Sequence, residues 1–207
     1  YKKDVLEYLE HMKRVSNVIM DAISTHLYSL TNNNEQEQLQ NDFKQSFFSP
    51  TELFRVFGYP APNLSTSQNP DPADFGVAEH TDYGYITVLY QDNTGGLQVK
   101  TSSGWEDVPP IPGTFVVNLG DALEHHSRGY LKATSHRVLH HRKPGASTQQ
   151  RISFPYFFDP DMSTIMSQIK FSDSNMNLAS VSNAQQRLKE RWDGQDLTLF
   201  KGSYKDY

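Results

Sequence analysis

The sequence predicts a mainly β protein with flanking helices, built around a sandwich or jelly roll. Two observations carry this. From Glu52 onward, short runs of β-type residues alternate with Gly- and Pro-containing turns. Ahead of them, residues 2–30 repeat their apolar positions with the period of a helix. A chain of 207 residues with no evident internal repeat is expected to form one domain, 1–207, with a substantial core. Within it, 1–50 reads as supporting helices and a loop, 51–160 as the jelly-roll core, and 161–207 as a C-terminal helical segment.

The elements follow in order. Val5, Leu9, Met12, Val15, Ile19, Ile23, Leu27 and Leu30 recur every three or four residues, which predicts an amphipathic helix facing the core. Thr31–Asn41 is rich in Asn and Gln and reads as an exposed loop or frayed turn. The stretch Pro60 to Pro72 is a proline-punctuated loop, expected near the site. Residues 140–150 read as a turn between two strands. Ser182 is placed to cap a helix running from Asn183 to Trp192.

Composition narrows the function. Lys and Arg number 19 against 24 Asp and Glu, a net charge of −5, so there is no basic footprint for nucleic acid. No apolar run approaches the roughly 20 residues that span a bilayer. There is no signal-peptide pattern. With no cysteine, thiolate zinc and iron–sulfur clusters are excluded for this chain, and a reducing, cytoplasmic setting is expected. No coiled-coil seam or swapped strand is legible, so a monomer is expected.

The most informative motif is His80-Thr81-Asp82, the only His-x-Asp in the chain. In extended backbone, alternate side chains share a face, so His80 and Asp82 can offer one imidazole nitrogen and one carboxylate oxygen to a single ion. A third ligand must come from elsewhere, and His125, His126, His136, His140 and His141 are all candidates. Two neutral imidazoles and a carboxylate form the facial triad of non-haem Fe(II) oxygenases, with neighbouring positions left open. Further on, Arg151 and Ser153 share a strand face in Arg151-Ile152-Ser153-Phe154. A guanidinium grips a carboxylate through two parallel hydrogen bonds, and a hydroxyl adds a third. Arg55 is a further candidate for meeting a substrate acid. Phe154, Phe157 and Tyr85 are candidates for lining a pocket or for core packing. Asn118 and Asp121 are expected to organise backbone turns rather than react.

In order along the chain stand His80-Thr81-Asp82-Tyr83-Gly84 with Thr87-Val88-Leu89, Gly95-Gly96-Leu97-Gln98-Val99, and Trp105-Glu106-Asp107-Val108-Pro109. Pro112-Gly113-Thr114-Phe115-Val116-Val117-Asn118-Leu119-Gly120-Asp121, Ser135-His136-Arg137-Val138 and Arg151-Ile152-Ser153 follow. In these motifs, over about residues 50–160, the chain resembles the isopenicillin N synthase-like branch of the 2-oxoglutarate and Fe(II)-dependent dioxygenases.

The resemblance implies a double-stranded β-helix core, a cupin-like jelly roll. It selects His136, which precedes Arg137-Val138, as the third ligand beside His80 and Asp82; His140, four residues on and on the same strand face, is the main rival. It implies that Arg151 and Ser153 hold the distal carboxylate of 2-oxoglutarate and that Tyr59 contacts this co-substrate. The implied reaction takes Fe(II), 2-oxoglutarate and O2. It couples decarboxylation to succinate and CO2 with oxidation, by default hydroxylation, of a small organic substrate. Two alternatives stay open: an Fe(II) oxidase of the same fold that uses no 2-oxoglutarate, and a catalytically silent barrel that binds a small acid or a protein.

There are departures from the family pattern. The segment between His136 and Arg151 is longer than usual. Arg128 stands where the family usually has asparagine. His125 and His126 are unusual and are expected to face the substrate. The chain has no initiator Met and opens inside its first helix, so a fragment or an unusually short relative is expected.

Overall fold

The computed structural model describes residues 1–31, 33–60, 75–139, 150–164, 168–169 and 171. Helices α1 (Lys2–Ser29) and α2 (Asn33–Gln45) come first. Strands β1 (Thr51–Phe54), β2 (Phe57–Tyr59), β3 (Phe75–His80), β4 (Ile86–Gln91), β5 (Leu97–Thr101), β6 (Gly104–Asp107) and β7 (Val116–Leu119) follow. A short helix, α3 (Asp121–His126), precedes β8 (His136–Leu139) and β9 (Arg151–Asp159). The β-rich stretch thus starts where the turn pattern of the sequence places it.

Among the described residues all the strand pairs are antiparallel, in two sheets. The larger runs β1-β9-β4-β7, with β2 also paired to β9; the smaller runs β3-β8-β5-β6. Long crossovers bring β9 between β1 and β4, and β8 between β3 and β5, which is the strand exchange of a jelly roll. Period-2 alternation divides β4 and β9 cleanly. Ile86, Val88, Tyr156 and Phe158 turn outward into a core shared with the helices. Thr87, Leu89, Ser153, Pro155 and Phe157 turn inward to a cavity between the sheets.

Helix α1 spans what the periodicity predicts, but its buried face is shifted. The buried ladder is Met12, Ser16, Met20, Ser24 and Tyr28, with Leu27 beside it. These residues step by four, and the two serines are fully buried. Small residues between methionines let the helix lie close on the sheet, and an apolar count passes over them. Val5 and Val15, counted as core-facing, are exposed.

The polar stretch read as a loop after Thr31 is mostly helix. Gln and Glu are good helix formers, and Leu39, Phe43 and Phe47 recur every four residues. Phe43 is buried against Tyr28 at 5.7 Å and Tyr85 at 6.1 Å between ring centroids. Tertiary packing of two aromatics thus outweighs a polar composition. The Ser182-capped helix and residues 61–72 of the proline-punctuated loop lie outside the described residues.

This packing makes a direct prediction. Phe43→Ala is expected to cost about 3–5 kcal/mol in urea unfolding. Val18→Ala, at a position 69% exposed on α1, is expected to stay within about 0.5 kcal/mol. Equal effects from the two would show that α2 does not anchor the core.

Candidate active site

The two sheets meet the metal-type side chains at one end. β3 finishes at His80 and β8 begins at His136, and these two residues are register partners. Their rings lie 4.2 Å apart between centroids. Asp82 follows two residues after the strand end, and its Oδ1 is 3.8 Å from Nε2 of each histidine. One ligand atom from each residue falls within 4.8 Å of the others. Asp82 and His136 are shielded, with side chains 11% and 13% exposed, while His80 is more open at 39%.

Each donor is oriented by what lies behind it. The Nδ1 of His80 is 2.9 Å from the Ala78 carbonyl, and that of His136 is 3.0 Å from the Thr134 carbonyl. A carbonyl only accepts, so each Nδ1 carries the proton and donates it. Each Nε2 lone pair is then free to bind a cation. Asp82 Oδ2 accepts from Thr87 Oγ1 at 2.5 Å and from Asn118 Nδ2 at 2.6 Å. Thr87 and Asn118 are register partners on β4 and β7. The larger sheet therefore holds one oxygen of the carboxylate and leaves the other aimed at the histidines.

The backbone around Asp82 is pinned as well. The Asp121 amide donates to the Asp82 carbonyl at 2.7 Å, and the Gly120 amide donates to the Tyr85 carbonyl at 3.0 Å. Thr81 donates its hydroxyl to Asp121 at 3.0 Å. The two chain segments touch so closely that a Cβ on Gly120 would lie 2.2 Å from the Gly84 carbonyl oxygen. One on Gly84 would lie 2.2 Å from Asp159 Oδ1. The motifs His80–Gly84 and Asn118–Asp121, separate in sequence, form one clamp.

At the far end of β9, Arg151 pairs in register with Tyr59. Its guanidinium lies 4.8 Å from the Tyr59 ring centroid. The residue is 4% exposed, and Ser153 is 1% exposed. Nη2 donates to Gln91 at 3.2 Å, while Nε and Nη1 are buried without a hydrogen-bond partner. Burial pulls its pKa below the ordinary guanidinium value, opposed by the nearby Tyr59 and Asp92. It stays charged, since arginine keeps its proton in proteins. A buried cation with donors left idle on Nε and Nη1 fits an anion such as a carboxylate.

The triad and Arg151 share a cavity of about 380 Å³, walled by Leu89, Leu97, Val99, Val116 and Val138. Ser153, Tyr59, Arg55 and Phe157 also line it. Among the remaining predicted residues, several lie elsewhere. Phe154 faces the opposite side of β9, stacked near Tyr90 and Phe54. Tyr85 is core, packed on Phe43 and Phe47. His125 and His126 do not face the cavity. Both are buried in α3, with His126 against Tyr28 and Phe43, and burial lowers the pKa of His125. Arg128 has φ 51°, a left-handed conformation that asparagine adopts more readily. This accounts for the asparagine usual there. His140 and His141 lie outside the described residues.

Asn118 does not shape a turn, as its sequence context suggests; it sits within β7 and holds the Asp82 carboxylate. Thr87 is the other partner that sequence reasoning misses. The available signal is a polar residue at an inward position of an otherwise apolar strand, as in Ile86-Thr87-Val88 and Val117-Asn118-Leu119.

The donor set of two imidazoles and one carboxylate is that of a non-haem iron site, and the chain belongs to the 2OG-Fe(II) oxygenase superfamily, whose family model matches residues 50–160. A probable iron/ascorbate oxidoreductase of Dictyostelium discoideum is 36% identical over 218 residues, covering 100% of this chain and 54% of the relative. A 1-aminocyclopropane-1-carboxylate oxidase of Dictyostelium mucoroides is 33% identical over 231 residues, covering 100% of this chain and 58% of the relative. A full-length Neurospora crassa protein, solved in complex with alpha-KG and 5-formyluracil, has a TM-score of 0.70 and 30% identity. That match covers 91% of this chain and 60% of that one. The chain thus spans little more than half the length of the curated relatives it matches. No helix among the described residues is long and apolar enough to cross a membrane.

If Asn118 and Thr87 orient Asp82, their loss weakens metal binding without removing a ligand. Asn118→Ala is expected to lower Mn(II) or anaerobic Fe(II) affinity by about 10–100-fold in a calorimetric titration. Unchanged affinity would show that the carboxylate needs no such support.

Proposed function

We propose that this protein is a non-haem Fe(II) dioxygenase that couples oxidation of a small organic substrate to decarboxylation of 2-oxoglutarate. Hydroxylation is the default outcome. His80, Asp82 and His136 hold the iron, and Arg151 with Ser153 takes the distal carboxylate of 2-oxoglutarate. The observation that carries this reading is the pairing of a preoriented His-Asp-His cluster with a buried guanidinium, idle at Nε and Nη1, in one cavity. Iron and keto acid, when bound, supply the activation of oxygen, with succinate and CO2 as co-products.

The chain's own part is placement. The Ala78 and Thr134 carbonyls hold the Nδ1 side of both imidazoles and turn each Nε2 toward Asp82. Thr87 and Asn118 occupy Oδ2 of Asp82, so Oδ1 would be the oxygen offered to the metal. Arg151 and Ser153 set the direction in which a dicarboxylate enters, and Tyr59 packs against the guanidinium. The valine and leucine walls exclude water, which strengthens every ion pair inside and protects reactive species from quenching. On this reading the protein acts on a small molecule as a cytoplasmic monomer, without nucleic acid. Its acidic balance supports the last point.

A second reading has one observation in its favour. The relatives named 1-aminocyclopropane-1-carboxylate oxidase match over the whole of this chain. In an oxidase that consumes no keto acid, Arg151 and Ser153 would hold the carboxylate of the substrate instead.

Succinate release separates the two. Purified protein with Fe(II), ascorbate, 2-oxoglutarate and a substrate screen should form succinate in step with substrate oxidation. Arg151→Gln should raise the KM for 2-oxoglutarate by about tenfold or more, since a charged hydrogen-bonded pair is lost. Substrate oxidation without succinate would establish the second reading.

A further inference from the structure

Arg55 is the second guanidinium on the cavity wall. It follows β1, and its amide donates to the Pro155 carbonyl at 3.1 Å. That places it abreast of Pro155, between the levels of Ser153 and Phe157 on β9. Unlike Arg151, it is exposed at the rim, and it has no ion pair among the described residues. Beside it the lining is apolar or aromatic: Leu53 and Tyr83 are 38% and 63% exposed, and Phe157 faces inward.

Charge accounting gives this arginine a purpose. Asp82 is the only carboxylate among the described residues lining the cavity. On the function proposed above, a divalent iron is balanced by Asp82 and the proximal carboxylate of 2-oxoglutarate. Arg151 is balanced by the distal carboxylate. Arg55 is left as one positive charge with no counter-charge among the described residues, on the stretch of wall that Leu53, Tyr83 and Phe157 make apolar. A wall of low polarity strengthens attraction to an incoming anion.

We infer that Arg55 is a specificity-determining residue and that the prime substrate is an apolar or aromatic monocarboxylate. Its acid group docks on the Arg55 guanidinium, and its body lies against Leu53, Tyr83 and Phe157. This directs the carbon skeleton, not the acid, toward the triad. The inference rests on the 2-oxoglutarate reading of Arg151 and is tested apart from it.

The test is calorimetric binding under anaerobic conditions to the protein loaded with Fe(II) and 2-oxoglutarate. The probes are acid–amide pairs: phenylacetate, 3-phenylpropionate and octanoate, each with its primary amide. At least one acid is expected to bind about tenfold or more tightly than its amide, as a charged hydrogen bond to arginine requires. Arg55→Gln should erase that preference by weakening the acid alone. Arg55→Lys should restore part of it, and 2-oxoglutarate binding should be unchanged in both variants. Equal binding of acid and amide, a preference that survives Arg55→Gln, or no binding by any pair would overturn the proposal. Titration of 2-oxoglutarate into the Fe(II) protein comes first. Its failure would sink the co-substrate reading instead, and the acid–amide comparison is then made on the Fe(II) protein, with the same outcomes deciding the role of Arg55.

Discussion

The arrangement depends on where one carboxylate is held. Asp82 lies on neither sheet, yet both sheets meet at it. Its Oδ1 faces His80 and His136 from the smaller sheet, and its Oδ2 is gripped by Thr87 and Asn118 from the larger. Shielded carboxylates need such partners, because an unsatisfied charge in a low-dielectric cavity is costly. The same contacts make the ligand geometry a property of the fold rather than of a flexible turn. Gly84 and Gly120 serve that constraint, since any side chain at either would drive apart the segments packed around it.

Around this point the barrel divides its labour by strand parity. Outward residues of β4 and β9 pack on α1 and α2, so the helices stiffen the larger sheet from behind. Inward residues line the cavity, with the metal-type cluster near Phe157 and the guanidinium at Arg151. A keto diacid has charge at both ends, and on the proposed reading the cavity offers a cationic partner at each. Arg55 stands at the rim between those levels, where a second molecule would enter. Separated positive charges thus give one cavity a way to take a co-substrate and a substrate without confusing them.

Much of this is legible in the sequence, for physical reasons. The clustering of His80, Asp82 and His136 and the shared inward face of Arg151 and Ser153 are readable because strand parity restricts spacing. Helix α1 is readable in extent but not in face, since its buried ladder includes Ser16 and Ser24, which carry no apolar signal. Helix α2 is hidden because its polar composition masks Leu39 and Phe43, which pack on distant partners. His125 and His126 invite assignment to the substrate on residue type alone, whereas their helix turns them into the core. Asn118 cannot be placed from sequence, because its partner lies 36 residues away across a sheet.

The most direct measurement is an anaerobic titration with Fe(II) and then 2-oxoglutarate, followed by visible absorption. The expected result is a weak metal-to-ligand charge-transfer band that needs both additions, is absent in His80→Ala and is weakened in Arg151→Ala. Iron that binds tightly yet gives no band with 2-oxoglutarate would contradict the assignment of the cavity to a keto-acid chelate.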